Sequence, residues 1–281
     1  MKKAFYIFLA GILLVGSLLA GCSGKKISHV YAFGDDHSDN GNYSKYEQEL
    51  PSEINWEGRL SNGPLAVEVL AEQLKVDLTD YAYCAAMSDQ DSIQFSNAGL
   101  LGQVDKFEAE LNGGKADPEA LYFIEIGMLD FFMTEVSGSA DLVVANIGTA
   151  VTRLAELGAK HFMVGNSFNL SKFPGFLGNA TQAEMFQTKM NAALPGEMDK
   201  LAQEMGLEIE IFDISAAEER IRSNPEQYGI TQLVSTCTQL PMDFSAEICA
   251  NPDEYYYWGY YYLTHRVHQI MGEAMAEQVS D

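Results

Sequence analysis

The sequence predicts an α/β fold, with a parallel sheet covered by helices on both faces. Two observations predict it: short apolar runs of β-forming residues alternate with segments of helical periodicity, and each intervening segment is long enough to return the chain for a parallel pairing. No linker, repeat or low-complexity block interrupts 29–281, so one domain is expected there. Strands are placed at 29–33 (HVYAF), 80–83 (DYAY), 120–126 (ALYFIEI), 160–166 (KHFMVGN) and 207–213 (LEIEIFD), where valine, isoleucine, tyrosine and phenylalanine concentrate. Helices are placed at 64–74, 100–111 and 139–157, where apolar residues recur at i, i+3, i+4 and i+7. A fourth spans 180–205, interrupted or bent at Pro195, and the last runs from about 263 to 278. In such sheets ligands bind beyond the carboxyl ends of the strands, which directs attention to the loops after Phe33, Tyr83, Ile126 and Asn166 and the one before Leu263.

The chain has 281 residues, 47% hydrophobic and 20% charged, with 40 acidic against 17 basic side chains and a net charge of −23. This composition describes a globular protein and excludes a disordered or polytopic membrane chain. So negative a charge repels phosphate backbones, so nucleic acid is not an expected partner.

The first 21 residues are set apart. Lys2 and Lys3 precede an apolar run from Ala4 to Leu19, and Leu19-Ala20-Gly21-Cys22 closes it. The run is short for a membrane span of ~20 residues and has the layout of a secretory signal. Its last four residues resemble a bacterial lipobox, which implies cleavage before Cys22, lipidation of that thiol with palmitate-class acyl chains, and a tether over 22–28. Ser23 then points to the outer membrane in a Gram-negative cell. Cleavage removes two lysines and leaves 260 residues with a net charge of −25. Export to an oxidising compartment makes a disulfide between Cys237 and Cys249 the expected pairing, while Cys84 is expected to be a buried small hydrophobe.

The loop after the first strand reads FGDDHSDNGN (33–42) and is followed by GRLSNGP (58–64). Together with DYAYCAA (80–86), LYFIEIGMLDFF (121–132), NPEQYG (224–229) and CANPDEYYYWGYYYLTHRVHQIMGEAM (249–275), these segments resemble, in order, the blocks of the GDSL or SGNH hydrolases. The resemblance implies a three-layer α/β/α sandwich on a five-stranded parallel sheet, of the flavodoxin-like kind. It also implies ester hydrolysis by a serine nucleophile, with a histidine base, an aspartate partner, and an oxyanion hole containing glycine and asparagine. Each type has a reason: a hydroxyl forms the acyl intermediate, an imidazole moves its proton, a carboxylate holds the imidazole tautomer, and donors meet the oxyanion.

This chain departs from the pattern at every one of those positions. Asp36 stands where the nucleophilic serine belongs, Cys84 and Ala85 replace the glycine pair, Leu129 replaces the oxyanion asparagine, Gly259 the aspartate and Tyr262 the histidine. Loss of nucleophile and base costs a serine hydrolase on the order of 10⁶ in turnover, and each missing oxyanion donor a further ~10²–10³. The expected protein is therefore a lipid-anchored binding or structural module without family catalysis. Its partners are the membrane through Cys22 and a small-molecule, lipid or glycan ligand or an envelope protein; no cofactor and no metal are expected. The alternatives are an ester hydrolase with relocated groups, in which Asp36 attacks with His37, His265 or His268 as base, and a scaffold for an envelope complex. Ligand contacts are assigned to Asp36, His37, Trp258, Tyr262 and His265, with His37 expected to be solvated and His265 to point at the Tyr262 loop. Asp35 and Asp39 are expected to make structural hydrogen bonds, and Asp36 to accept backbone N–H groups at a helix amino terminus. In the run 255–262, rich in tyrosine, some rings are expected to pack under the sheet edge, with an aromatic platform as the functional alternative. KFPGFLG (172–178) is expected to pack or to form a pocket lid.

Overall fold

A computed structural model describes residues 26–46, 54–134, 139–243 and 247–280. The signal segment and Cys22 lie outside the described residues. The elements follow in order: β1 (Val30–Gly34), α1 (Asn42–Tyr46), α2 (Ala66–Leu74), β2 (Leu78–Asp80), α3 (Leu100–Glu110), β3 (Leu121–Glu125), α4 (Met128–Thr134) and α5 (Ser139–Leu157). Then come β4 (His161–Gly165), α6 (Ala180–Met205), β5 (Glu208–Phe212), α7 (Ile214–Ser223), β6 (Gln232–Thr236), β7 (Tyr255–Tyr257) and α8 (His265–Ser280). Five strands form one parallel sheet in the order β2-β1-β3-β4-β5, the expected sandwich. The strand order reverses direction between β1 and β3, and their carboxyl ends open the crevice where this topology binds ligands.

Alternation along the central strands sorts side chains to the two helical layers. Tyr31 and Phe33 of β1 and Tyr122 of β3 meet Phe107 of α3, with ring centroids 5.2–5.9 Å apart. Phe107 is fully buried, a burial that contributes about 1.5–3 kcal/mol. Residues one step on, Phe123 and Glu125, turn to the other face, towards Val67 of α2 and His268 and Met271 of α8. α5 buries Val143, Ile147, Ala150, Val151 and Leu154, the spacing from which it was predicted.

Three expectations need correction. The second strand covers Leu78–Asp80 and not 80–83; Tyr81 and Tyr83 still donate their N–H groups to Ala32 and Gly34, but the chain is already leaving the sheet. The helix at 180–205 is not interrupted at Pro195, which sits at an exposed position of a continuous helix. It ends at Gly206, whose φ of +63° suits the left-handed cap. The tyrosine run is also largely interior: β7 pairs with β6 in a second, two-stranded sheet, and Tyr256, Tyr257 and Trp258 are buried. Cys237 and Cys249 form a disulfide beside it.

Candidate functional site

The site begins where β1 ends. The Gln103 side chain holds Gly34 from both sides, accepting its N–H at 2.9 Å and donating to its carbonyl at 2.8 Å. A β-carbon at Gly34 would fall 2.4 Å from the carbonyl oxygen of Glu125, its register partner on β3, so only glycine fits there. The chain then tightens, with Ser38 and Asp39 both donating to the Asp35 carbonyl. Asp39 takes the structural role expected of it. Its carboxylate accepts from the N–H groups of Gly41, Asn42 and Tyr43 at the start of α1, and from Cys84 N–H at 2.7 Å across the crevice.

Asp36 is buried at the nucleophile position, and its Oδ1 accepts the N–H of Ala85. The donor comes from the loop after β2, not from a helix amino terminus: α1 begins six residues later and is capped by Asp39. Ala85 has φ of +61°, a left-handed conformation that costs a residue with a β-carbon roughly 1–2 kcal/mol. The backbone there takes a conformation that glycine favours, and its N–H is taken by the Asp36 carboxylate. Burial first, and then the neighbouring Asp35 carboxylate, push Asp36 up to about 6. The Cys84 thiol bonds the same carboxylate, and burial followed by that negative charge pushes it well above its ordinary range. Cys84 is not the wholly buried hydrophobe expected, since it is half-buried and lines the crevice.

These residues border a cavity of about 270 Å³ whose walls include Asp36, Cys84, Leu129, Phe132, Phe176 and Tyr262. Leu129, in the first turn of α4, presents only carbon. Tyr262 is buried, and burial followed by the nearby Asp36 carboxylate holds its phenol well above the usual range, so it is no base near neutral pH. At Gly259 a β-carbon would fall 2.8 Å from the Leu240 carbonyl oxygen and 2.9 Å from Leu240 Cβ. The packing there leaves no room for an aspartate. Phe176 comes from the 172–178 segment and forms one wall with Tyr261, ring centroids 5.0 Å apart. The rim is apolar, with Ile93, Phe132 and Met242 exposed.

The other assigned contacts lie elsewhere. Trp258 donates its indole N–H to Ile54 at 2.8 Å and fills a small core with Leu60, Leu240 and Cys237. His265 does not line the cavity; its Nδ1 is 2.8 Å from the Pro64 carbonyl, turning the ring towards the 62–64 loop. His37 is buried and not solvated, because Phe168 and Phe173 pack on its ring at centroid distances of 4.4 and 6.0 Å. His268 is buried, its Nδ1 accepts Ala66 N–H, burial holds it neutral, and it does not line Asp36's cavity. None of the three imidazoles lines the crevice. Missed from sequence were the small α4 and the part of Phe132 and Met242 in the rim; exposed apolar residues in a short helix or a loop carry no periodic signal.

The model of the GDSL-like lipase/acylhydrolase family matches residues 30–275. Thermolabile hemolysin of Vibrio parahaemolyticus is 26% identical over 270 residues, covering 90% of this chain and 64% of the hemolysin, so the chain spans less than two thirds of that relative. GDSL esterase/lipase 5 of Arabidopsis thaliana is 22% identical over 335 residues, covering 92% of this chain and 86% of its own. Among solved structures, a member of the lipolytic protein G-D-S-L family from Veillonella parvula superimposes with a TM-score of 0.50 at 13% identity, covering 90% of this chain and 97% of that one. At that identity the likeness concerns the fold alone.

Proposed function

We propose, starting from a chain that belongs to the GDSL-like lipase/acylhydrolase family, that it has kept the family's fold and crevice and given up ester hydrolysis, and that it works as a binding module tethered to the bacterial cell envelope by lipidated Cys22. The observation that carries this reading is the Asp36 bond to Ala85 N–H. The one backbone donor that a glycine-type loop would aim at an oxyanion is held by a carboxylate, whose own negative charge opposes an oxyanion at that place. Leu129 supplies no donor where the family has asparagine, Tyr262 supplies no base, and Gly259 has no space for a partner carboxylate.

The ligand class follows from the lining. Carbon-rich walls and an apolar rim favour an acyl or aryl group, and Asp36 at the inner wall favours a neutral or cationic polar end. Full-length chain in detergent is expected to hydrolyse short-chain p-nitrophenyl esters at the uncatalysed rate and to bind a fluorescent acyl probe. Turnover well above background that disappears in Asp36→Ala would overturn the reading. The relatives named as esterase/lipase favour the second reading, an ester hydrolase, and the same assay decides between them.

A further inference from the structure

On the face of β1 and β3 towards α2 and α8, apart from the apolar crevice, lies a second group of functional side chains. The loop after β1 contributes Asp35 and His37, and β3 contributes Glu125, directly across from Gly34. All three are buried, and one ligand atom from each lies within 4.8 Å of the others. Asp35 Oδ1 accepts His37 N–H at 3.2 Å and stands 3.4 Å from His37 Nδ1. Asp35 Oδ2, His37 Nε2 and Glu125 Oε2 have no hydrogen-bond partner among the described residues. A cavity of about 20 Å³, room for one ion or one water, is bordered by His37, Glu125 and His268.

Three buried polar side chains with unused atoms, converging from two adjacent strands, are hard to leave uncompensated. We infer that Asp35, His37 and Glu125 bind a divalent transition-metal ion of the zinc class, with a further position for water in the small cavity. Two carboxylate oxygens and one imidazole nitrogen suit zinc or manganese; calcium and magnesium prefer all-oxygen shells, and copper(I) prefers sulfur. The missing β-carbon of Gly34 permits the close approach of the two strands. The ion acts structurally, fixing the loop that carries Asp36 and leaving the crevice reading independent of it.

The test is metal uptake by the full chain after stripping with chelator. Titrated zinc is expected to bind at one equivalent per chain and, at about 100-fold excess over Kd, to raise Tm by about 5–10 °C. Glu125→Gln and His37→Gln are expected to lose that equivalent. Cobalt(II) in the natural chain is expected to give visible d–d bands without a sulfur-to-metal charge-transfer band, a readout that stands even if the variants fail to fold. No stoichiometric uptake, meaning a buried water only, would overturn the inference. So would uptake unchanged in Glu125→Gln, or a thiolate band placing the ion at a cysteine.

Discussion

Asp130→Asn tests how the buried carboxylates of the site layer set stability. Asp130, in the first turn of α4 beside Leu129, accepts from Ser88 N–H at 2.9 Å and from Ser88 Oγ at 2.7 Å. Burial outweighs these bonds and pushes its carboxyl up to about 6 from the ordinary 3.8. The folded state therefore holds a proton that the unfolded state has released between those values. Stability from this group is complete below about pH 3.8, falls as pH rises through 6, and is level above it. A difference of about 2.2 units corresponds to roughly 3 kcal/mol. The asparagine cannot ionise, so the variant's stability relative to the natural chain is expected to improve by about 3 kcal/mol between pH 3 and pH 7. Any constant cost of rearranging the Ser88 contacts cancels in that comparison. Urea denaturation of both chains across the range measures it. A flat difference, or a natural chain that gains on the variant as pH rises, would refute the assigned direction.

Other outcomes follow from the same geometry. Gly34→Ala drives a β-carbon onto the Glu125 carbonyl and is expected to destabilise by about 1–3 kcal/mol or more, read as a lowered urea midpoint. Replacing Cys237 and Cys249 with serine opens a ring spanning 12 residues and is expected to cost roughly 3 kcal/mol by the same measurement. An anionic acyl probe is expected to bind the crevice about tenfold more tightly below pH 6 than at pH 8, equivalent to ~1.4 kcal/mol of relieved repulsion, as Asp36 becomes neutral. Asp36→Asn should remove that dependence in a fluorescence titration. Asp36→Ser alone is expected to leave ester hydrolysis at background in the p-nitrophenyl assay, since no imidazole lines the crevice to take the serine proton.

The alternation of strand and helix was legible because each element is a local pattern. Val143, Ile147, Val151 and Leu154 announce the buried side of α5 by spacing alone, and Tyr31, Phe33, Tyr122 and Phe123 announce strands by type. The substituted family positions were equally legible, since an aspartate at 36 or a leucine at 129 needs no coordinates to be recognised. The short α4 and the β6–β7 pair were not, because a few residues with mixed polarity hold no period and form only where the rest of the fold covers them.

By itself the sequence determined the α/β architecture, the five strands of the main sheet with the long helices among them, and the chemical types at the family's functional positions, all of which follow from neighbours along the chain. Only the tertiary structure decided which residues meet. His37 is buried because Phe168 and Phe173, more than a hundred positions away, close over it. Trp258 is core because Ile54 accepts its N–H. The Asp36 carboxylate holds Ala85 N–H, and Asp35, His37 and Glu125 converge, because β1 lies between β2 and β3 and brings loops distant in sequence to one edge of the sheet. Burial and hydrogen-bond partnership depend on those long-range approaches, which no local pattern of residues encodes.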